Sequence, residues 1–136
     1  MDRIRLEFVM NVTEENLIAV MKGVVEGSAH WCCQMGGFKD IYRTNAGVYM
    51  ANALQDGLPL HLHDDIRKQW FELDKQIVLN GIKKYLKDFP ESNILRFEDG
   101  EIKFDNGRLD SDMADSILQY AAFGCIRYKK GVALNS

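Results

Sequence analysis

Two histidines two residues apart, His61 and His63, are followed at once by Asp64 and Asp65. On a strand that spacing projects both imidazoles from one face, where zinc or another transition metal could take them with a carboxylate. No third and fourth ligand follow at a recognised spacing, so the polar outer face of a hairpin is the simpler account. A second cluster places His30 beside Cys32 and Cys33. A nucleophilic cysteine needs its thiolate favoured by a nearby base or helix N-terminus. Adjacency in sequence does not supply that geometry, and small buried thiols are common in cores. The acids Asp105, Asp110, Asp112 and Asp115 do not follow the alternation of a calcium loop and its distal glutamate. Acids just inside a helix N-terminus explain most of them.

The segment from Gly27 to Gly47 holds the remaining candidate site. It sets Gly27, Gly36, Gly37 and Gly47 around the flat apolar faces of Trp31, Phe38 and Tyr42, with the cations Lys39 and Arg43. Ring stacking with guanidinium pairing is a common way to hold a nucleobase and its phosphate. Arg67 and Arg127 could add positive charge. The expected ligand set is Trp31, Lys39, Tyr42, Arg43 and Arg67. The competing account has Trp31 and Phe38 filling the core while Lys39, Tyr42 and Arg43 ride a solvated loop. The chain has no phosphate-binding glycine loop, dinucleotide fingerprint or nucleophile elbow, and no motif that calls for a cofactor.

Hydropathy patterning supplies the elements that must position these groups. Ile4, Leu6, Phe8 and Met10 alternate with Arg3, Arg5 and Glu7, the period of a strand with one wet side. Thr13 caps a helix whose Leu17, Ile18, Val20, Met21, Val24 and Val25 recur at helical spacing, with Gly27 as its stop. Val48 to Gln55 fits a short helix or a strand. Leu58, Leu60 and Leu62 mark a strand, Asp64 and Asp65 a turn, and Gln69 to Leu73 the return strand of a hairpin. Asp74 caps a helix carrying Ile77, Val78, Ile82, Tyr85 and Leu86, with Pro90 just beyond it. Ser92 to Gly107 reads as an irregular hairpin with turns at Asp99-Gly100 and Asn106-Gly107. Asp110 or Ser111 opens a last helix through Tyr120, Gly124 ends it, and Cys125 to Lys129 reads as a final strand. The expectation is one α+β domain over residues 1–136, three helices packed on an antiparallel sheet of about four strands in two layers.

Composition agrees with a globular chain, 46% hydrophobic and 27% charged in 136 residues. A net charge of −3 gives no long-range attraction to a nucleic-acid polymer or an anionic membrane. Three cysteines, an odd number in a domain that needs no staples, fit thiols in a reducing cytoplasm. The charged, alternating N-terminal residues do not read as a signal peptide, and no run approaches a transmembrane span.

Three ordered segments carry a likeness to known proteins: EGSAHWC from Glu26 to Cys32, the hairpin and helix from Asp56 to Asp88, and DSDMADSILQYAAFGCIRY from Asp110 to Tyr128. In these the chain resembles a family of small, uncharacterised proteins encoded by phages and prophages of Firmicutes and related bacteria. Asp74 stands where that family more often has threonine, and Cys125 where it usually has an acid. The resemblance implies a phage-type protein of a size typical of proteins that counter host defence and carries no activity with it; the missing catalytic motifs add the expectation of a non-enzymatic protein, and the thiols that of the bacterial cytoplasm. With the aromatic segment, the resemblance leads to the expectation of a homo-oligomeric sponge for a small nucleotide signal. The alternative is a module that docks on a host or phage protein, and a third reading is a hydrolase using His61 or His63.

Overall fold

The computed structural model describes residues 10–36 and 45–129. Its first helix, α1 (Glu14–Gly27), starts at Thr13, which closes a reciprocal cap with Asn16. α1 buries Leu17, Val20, Met21 and Val24 along one stripe, as their spacing requires. A two-residue strand, β1 (Gln34–Met35), follows. Next comes α2 (Ala46–Gln55), which settles as helix the segment whose pattern fitted either state.

β2 (Leu60–Asp64) and β3 (Gln69–Leu73) form the expected hairpin, with Leu60 opposite Leu73, His61 opposite Glu72, Leu62 opposite Phe71 and His63 opposite Trp70. The period of two puts the leucines and Phe71 toward the core and both histidines, Trp70 and Glu72 on the outer face. β1 pairs antiparallel with β2, giving a three-stranded sheet in the order β1-β2-β3. Asp74 caps α3 (Lys75–Asp88) by accepting from the Ile77 N–H. A separate two-stranded ribbon, β4 (Leu95–Glu98) and β5 (Glu101–Phe104), turns at Asp99-Gly100, both residues left-handed with φ near 51° and 76°. That is the turn chemistry a two-residue hairpin loop demands. After a single 3-10 turn, α4 (Ser111–Phe123) begins at the cap Asp110 and ends on left-handed Gly124.

The class is α+β as expected, and the described residues form four helices and two small antiparallel sheets where three helices and one sheet were expected. The alternating segment from Arg3 lies outside the described residues except for Met10, which is in no strand. Cys125 to Lys129 forms no strand beyond a single bridge at Lys129. The reason is local: the Gln119 side chain takes the N–H groups of Arg127 and Tyr128 and the Tyr128 carbonyl, so those backbone groups need no neighbouring strand.

α4 packs against α1 on one side and α3 on the other, while α2 packs on α1. Small residues set how closely these helices approach. A Cβ at Gly23 would stand 2.5 Å from that of Ala114, and one at Gly27 would collide with the Ser111 carbonyl. At the other seam a Cβ on Gly81 would lie 2.6 Å from the Ala121 Cβ and 2.8 Å from its backbone nitrogen. Gly81→Ala gains up to about 1 kcal/mol of helix propensity. Overpacking costs about 1–3 kcal/mol, and here backbone blocks relief, so a net loss of about 1–2 kcal/mol is expected in urea unfolding. An unchanged or raised midpoint would show that the α3–α4 seam is looser than this.

Candidate functional site

Trp31 follows the end of α1 and is sealed completely. Its ring stacks on Phe71 at 5.8 Å and 21°, with Phe123 at 5.3 Å and Tyr128 at 5.5 Å. Its one polar atom is also spent, since the indole N–H donates to Asp115 Oδ1 at 2.7 Å. A stacking platform needs an open face, and Trp31 has none. The tryptophan joins sheet to helix, which is the core-filling account given for it above. Lys39, Tyr42 and Arg43 lie outside the described residues. Arg67 is exposed in the β2–β3 turn, where its backbone N–H donates to Asp64 Oδ1 at 3.1 Å. The structure thus separates Trp31, inside, from Arg67, outside.

Asp115 is the centre of what surrounds Trp31. This buried carboxylate accepts from the Ser28 hydroxyl at 2.8 Å, the Trp31 indole, and the Gln119 amide at 3.0 Å, and His30 Nε2 lies 3.8 Å away. Desolvation is the largest influence on it and raises its pKa above the ordinary aspartate range, against the pull of Trp31, Ser28, His30 and Gln119. Sequence reading assigned Asp115 to a helix terminus. It stands instead one turn inside α4, on the face that meets α1.

A second buried carboxylate, Asp64, ends β2. It accepts from the Tyr128 hydroxyl at 2.7 Å and from the N–H groups of Ile66 and Arg67, with Arg127 at 3.5 Å. The Arg127 guanidinium also lies over the Phe123 ring, 3.8 Å from its centre, so this cation holds structure together. Burial and the Asp64 contact push the Tyr128 phenol up.

The histidines share the outer face of the hairpin but are taken separately. His61 meets Glu72 at 3.2 Å, while His63 meets Asp65 at 2.6 Å and packs its ring 4.8 Å from that of Trp70. Asp65 also accepts from the Cys33 N–H and the Gln34 amide. Among the described residues no three His, Cys, Asp or Glu side chains converge as a metal site. The three cysteines are outside any disulfide. Burial, then the Asp65 charge, pushes the Cys32 thiol far up, which disfavours the thiolate that nucleophilic attack requires.

What sequence reading passed over is Trp70. It sits in the expected return strand, and its opposition to His63 places it outward. More than half of its surface is open to water, as is about half of Ile66 at the turn of the same hairpin. Alternation about Leu73 carried that signal: Trp70 is an odd step away from it and so on the opposite face. Among the described residues no helix is long and apolar enough to cross a membrane. No family model, curated protein or solved structure matches the chain.

A raised Asp115 pKa means the native state holds a proton that the unfolded chain has already released. The native advantage is full below the ordinary aspartate value near 3.8 and declines as pH rises through the raised one. Between the ordinary value and the raised one, stability measured by urea unfolding should therefore fall more steeply with pH in the wild type than in Asp115→Asn. Parallel profiles would mean that burial does not govern this carboxyl.

Proposed function

We propose that this chain is a non-enzymatic, phage-type binding protein that docks on another protein through the outer face of its β2–β3 hairpin. The observation that carries the proposal is the contrast between the two tryptophans, one sealed and one 56% exposed. Burying a whole aromatic side chain removes on the order of 150–250 Å² from water, and Trp70 has just over half of its surface left to bury. Tryptophan is among the residues that dominate interface energetics when a partner pocket encloses it. Ile66 adds apolar surface at the turn, while His61, Glu72, Gln34 and Asp65 give the face a mixed polar rim. Rigid anchors cost little entropy on binding. Trp70 is braced by His63, which Asp65 holds in turn.

The resemblance to small phage proteins supports a host or phage protein as the partner. Sequestration of a nucleotide signal loses its stacking ring in Trp31 and would rest on Lys39, Tyr42 and Arg43 with Arg67. Catalysis is not part of the proposal: Asp115, Asp64 and His63 are each engaged in contacts that hold the fold.

Because Trp70 is more than half exposed and packs on its cross-strand partner His63, Trp70→Ala should lower stability by no more than about 1 kcal/mol. Loss of an anchor of this kind costs about 2 kcal/mol or more in affinity. Tagged wild type, Trp70→Ala and Phe97→Ala, the last removing an exposed ring on the other sheet, would be compared in captures from host and phage lysates. The expected result is a stoichiometric partner retained by wild type and Phe97→Ala and lost by Trp70→Ala. Identical recoveries in all three would sink the proposal, as would a folded wild type that retains nothing. Sedimentation of the same variants shows whether the partner is a second copy.

A further inference from the structure

The end of α3 opens into a cleft of about 570 Å³, bordered by Tyr85, Asp88, Phe89, Asn93 and, from α4, Met113. Glu91 also lines it. Three features there favour positive charge, and each has a different physical origin. The first is ionic: Asp88 and Glu91 are exposed carboxylates, and among the described residues no lysine or arginine lines the cleft. The Tyr120 hydroxyl donates to Asp88 Oδ2 at 2.6 Å, fixing where that carboxylate points. The lysines of α3 lie outside the lining. Lys84 reaches toward Gly124, its ammonium 3.6 Å from where a Cβ would stand, and Lys87 is not in the lining.

The second feature is aromatic. Phe89 is 46% exposed, lies 5.1 Å from the ring of buried Tyr85, and lines the cleft together with Asp88 and Glu91. Aromatic faces attract ammonium groups through their quadrupole. The third is the helix itself: Phe89 is the C-terminal cap of α3, where carbonyl groups gather the negative end of the peptide dipoles. Phe89, Pro90 and Met113 add an apolar wall against which an alkyl chain can lie.

From this combination we infer that the cleft at the end of α3 binds an alkylammonium group, its charge at Asp88 and Glu91 and its chain along Phe89. Two sources carry that chemistry, a free aliphatic diamine and a lysine side chain. The site lies at the opposite end of α3 from the hairpin and does not depend on the docking proposed there.

The test follows amide NMR shifts in the intact chain during titration with cadaverine, with N-acetyl-lysine amide, and with pentanol as the uncharged counterpart. Saturable shifts clustered at residues 88–93 and 113, with Kd on the order of millimolar, are expected for the cations. Tighter binding of cadaverine identifies a diamine site, and equal or tighter binding of the lysine derivative identifies a side-chain site. Asp88→Asn keeps an acceptor for Tyr120 yet removes the charge, and should weaken binding about threefold to fivefold, as should Phe89→Leu. Added salt should weaken the cations and leave pentanol unaffected. Absence of clustered shifts up to ~10 mM cation, well above the expected Kd, overturns the inference. So does pentanol binding as well as the amines, or unchanged affinity in a folded Asp88→Asn.

Discussion

One buried carboxylate holds the parts of this structure in register. Asp115 lies where α4 meets α1, and removing its charge from water is costly unless hydrogen bonds replace the lost solvation. Three donors offset part of that cost: the hydroxyl of Ser28 at the end of α1, the indole of Trp31 beyond it, and the amide of Gln119 one turn along α4. Gln119 then passes the connection on by binding the backbone of Arg127 and Tyr128. The Tyr128 hydroxyl reaches Asp64 at the end of β2, whose other oxygen fixes the hairpin turn. A continuous polar path thus runs through an apolar core from the helices to the sheet. In a low-dielectric interior each link is costly to leave unpaired, so the set specifies one arrangement more sharply than its apolar neighbours do.

Around that path the apolar groups pack by simpler rules. Trp31 fills the space between the inner face of the hairpin and the end of α4, against Phe71, Phe123 and Tyr128. The helices close on one another where glycine and alanine meet, at Gly23 with Ala114 and at Gly81 with Ala121. The same fixed frame governs the surface. Asp64 ties the hairpin turn to the residues after α4, so Trp70 and Ile66 are displayed from a braced element. The cleft at the end of α3 lies beside Tyr120, a residue of α4 whose hydroxyl aligns Asp88 and whose own pKa that contact raises to about 12. Both candidate surfaces are thus borne by parts of one scaffold.

Much of this arrangement is legible in the chain alone, because short-range physics decides it. Thr13, Asp74 and Asp110 cap helices since each side chain meets a backbone N–H three residues on. Asp99-Gly100 and Gly124 adopt left-handed geometry that their residue types tolerate. Alternation from Leu60 to Asp64 sets which residues face inward. These effects depend on neighbours a few positions away and determine α1, α3, α4, the hairpins and the α+β class.

Other features depend on partners tens of residues apart, and only the tertiary structure decided them. Val48 to Gln55 has no decisive period, and packing of α2 on α1 makes it helix. Cys125 to Lys129 looks like a strand until Gln119 satisfies its backbone. An aromatic beside glycines and cations has the composition of a ligand site, yet Trp31 becomes core because Asp115, 84 residues later, accepts the hydrogen bond of its indole N–H. Burial is a property of the whole fold: the types of Trp31 and Trp70 are identical, and what surrounds each in space separates the exposed ring from the sealed one.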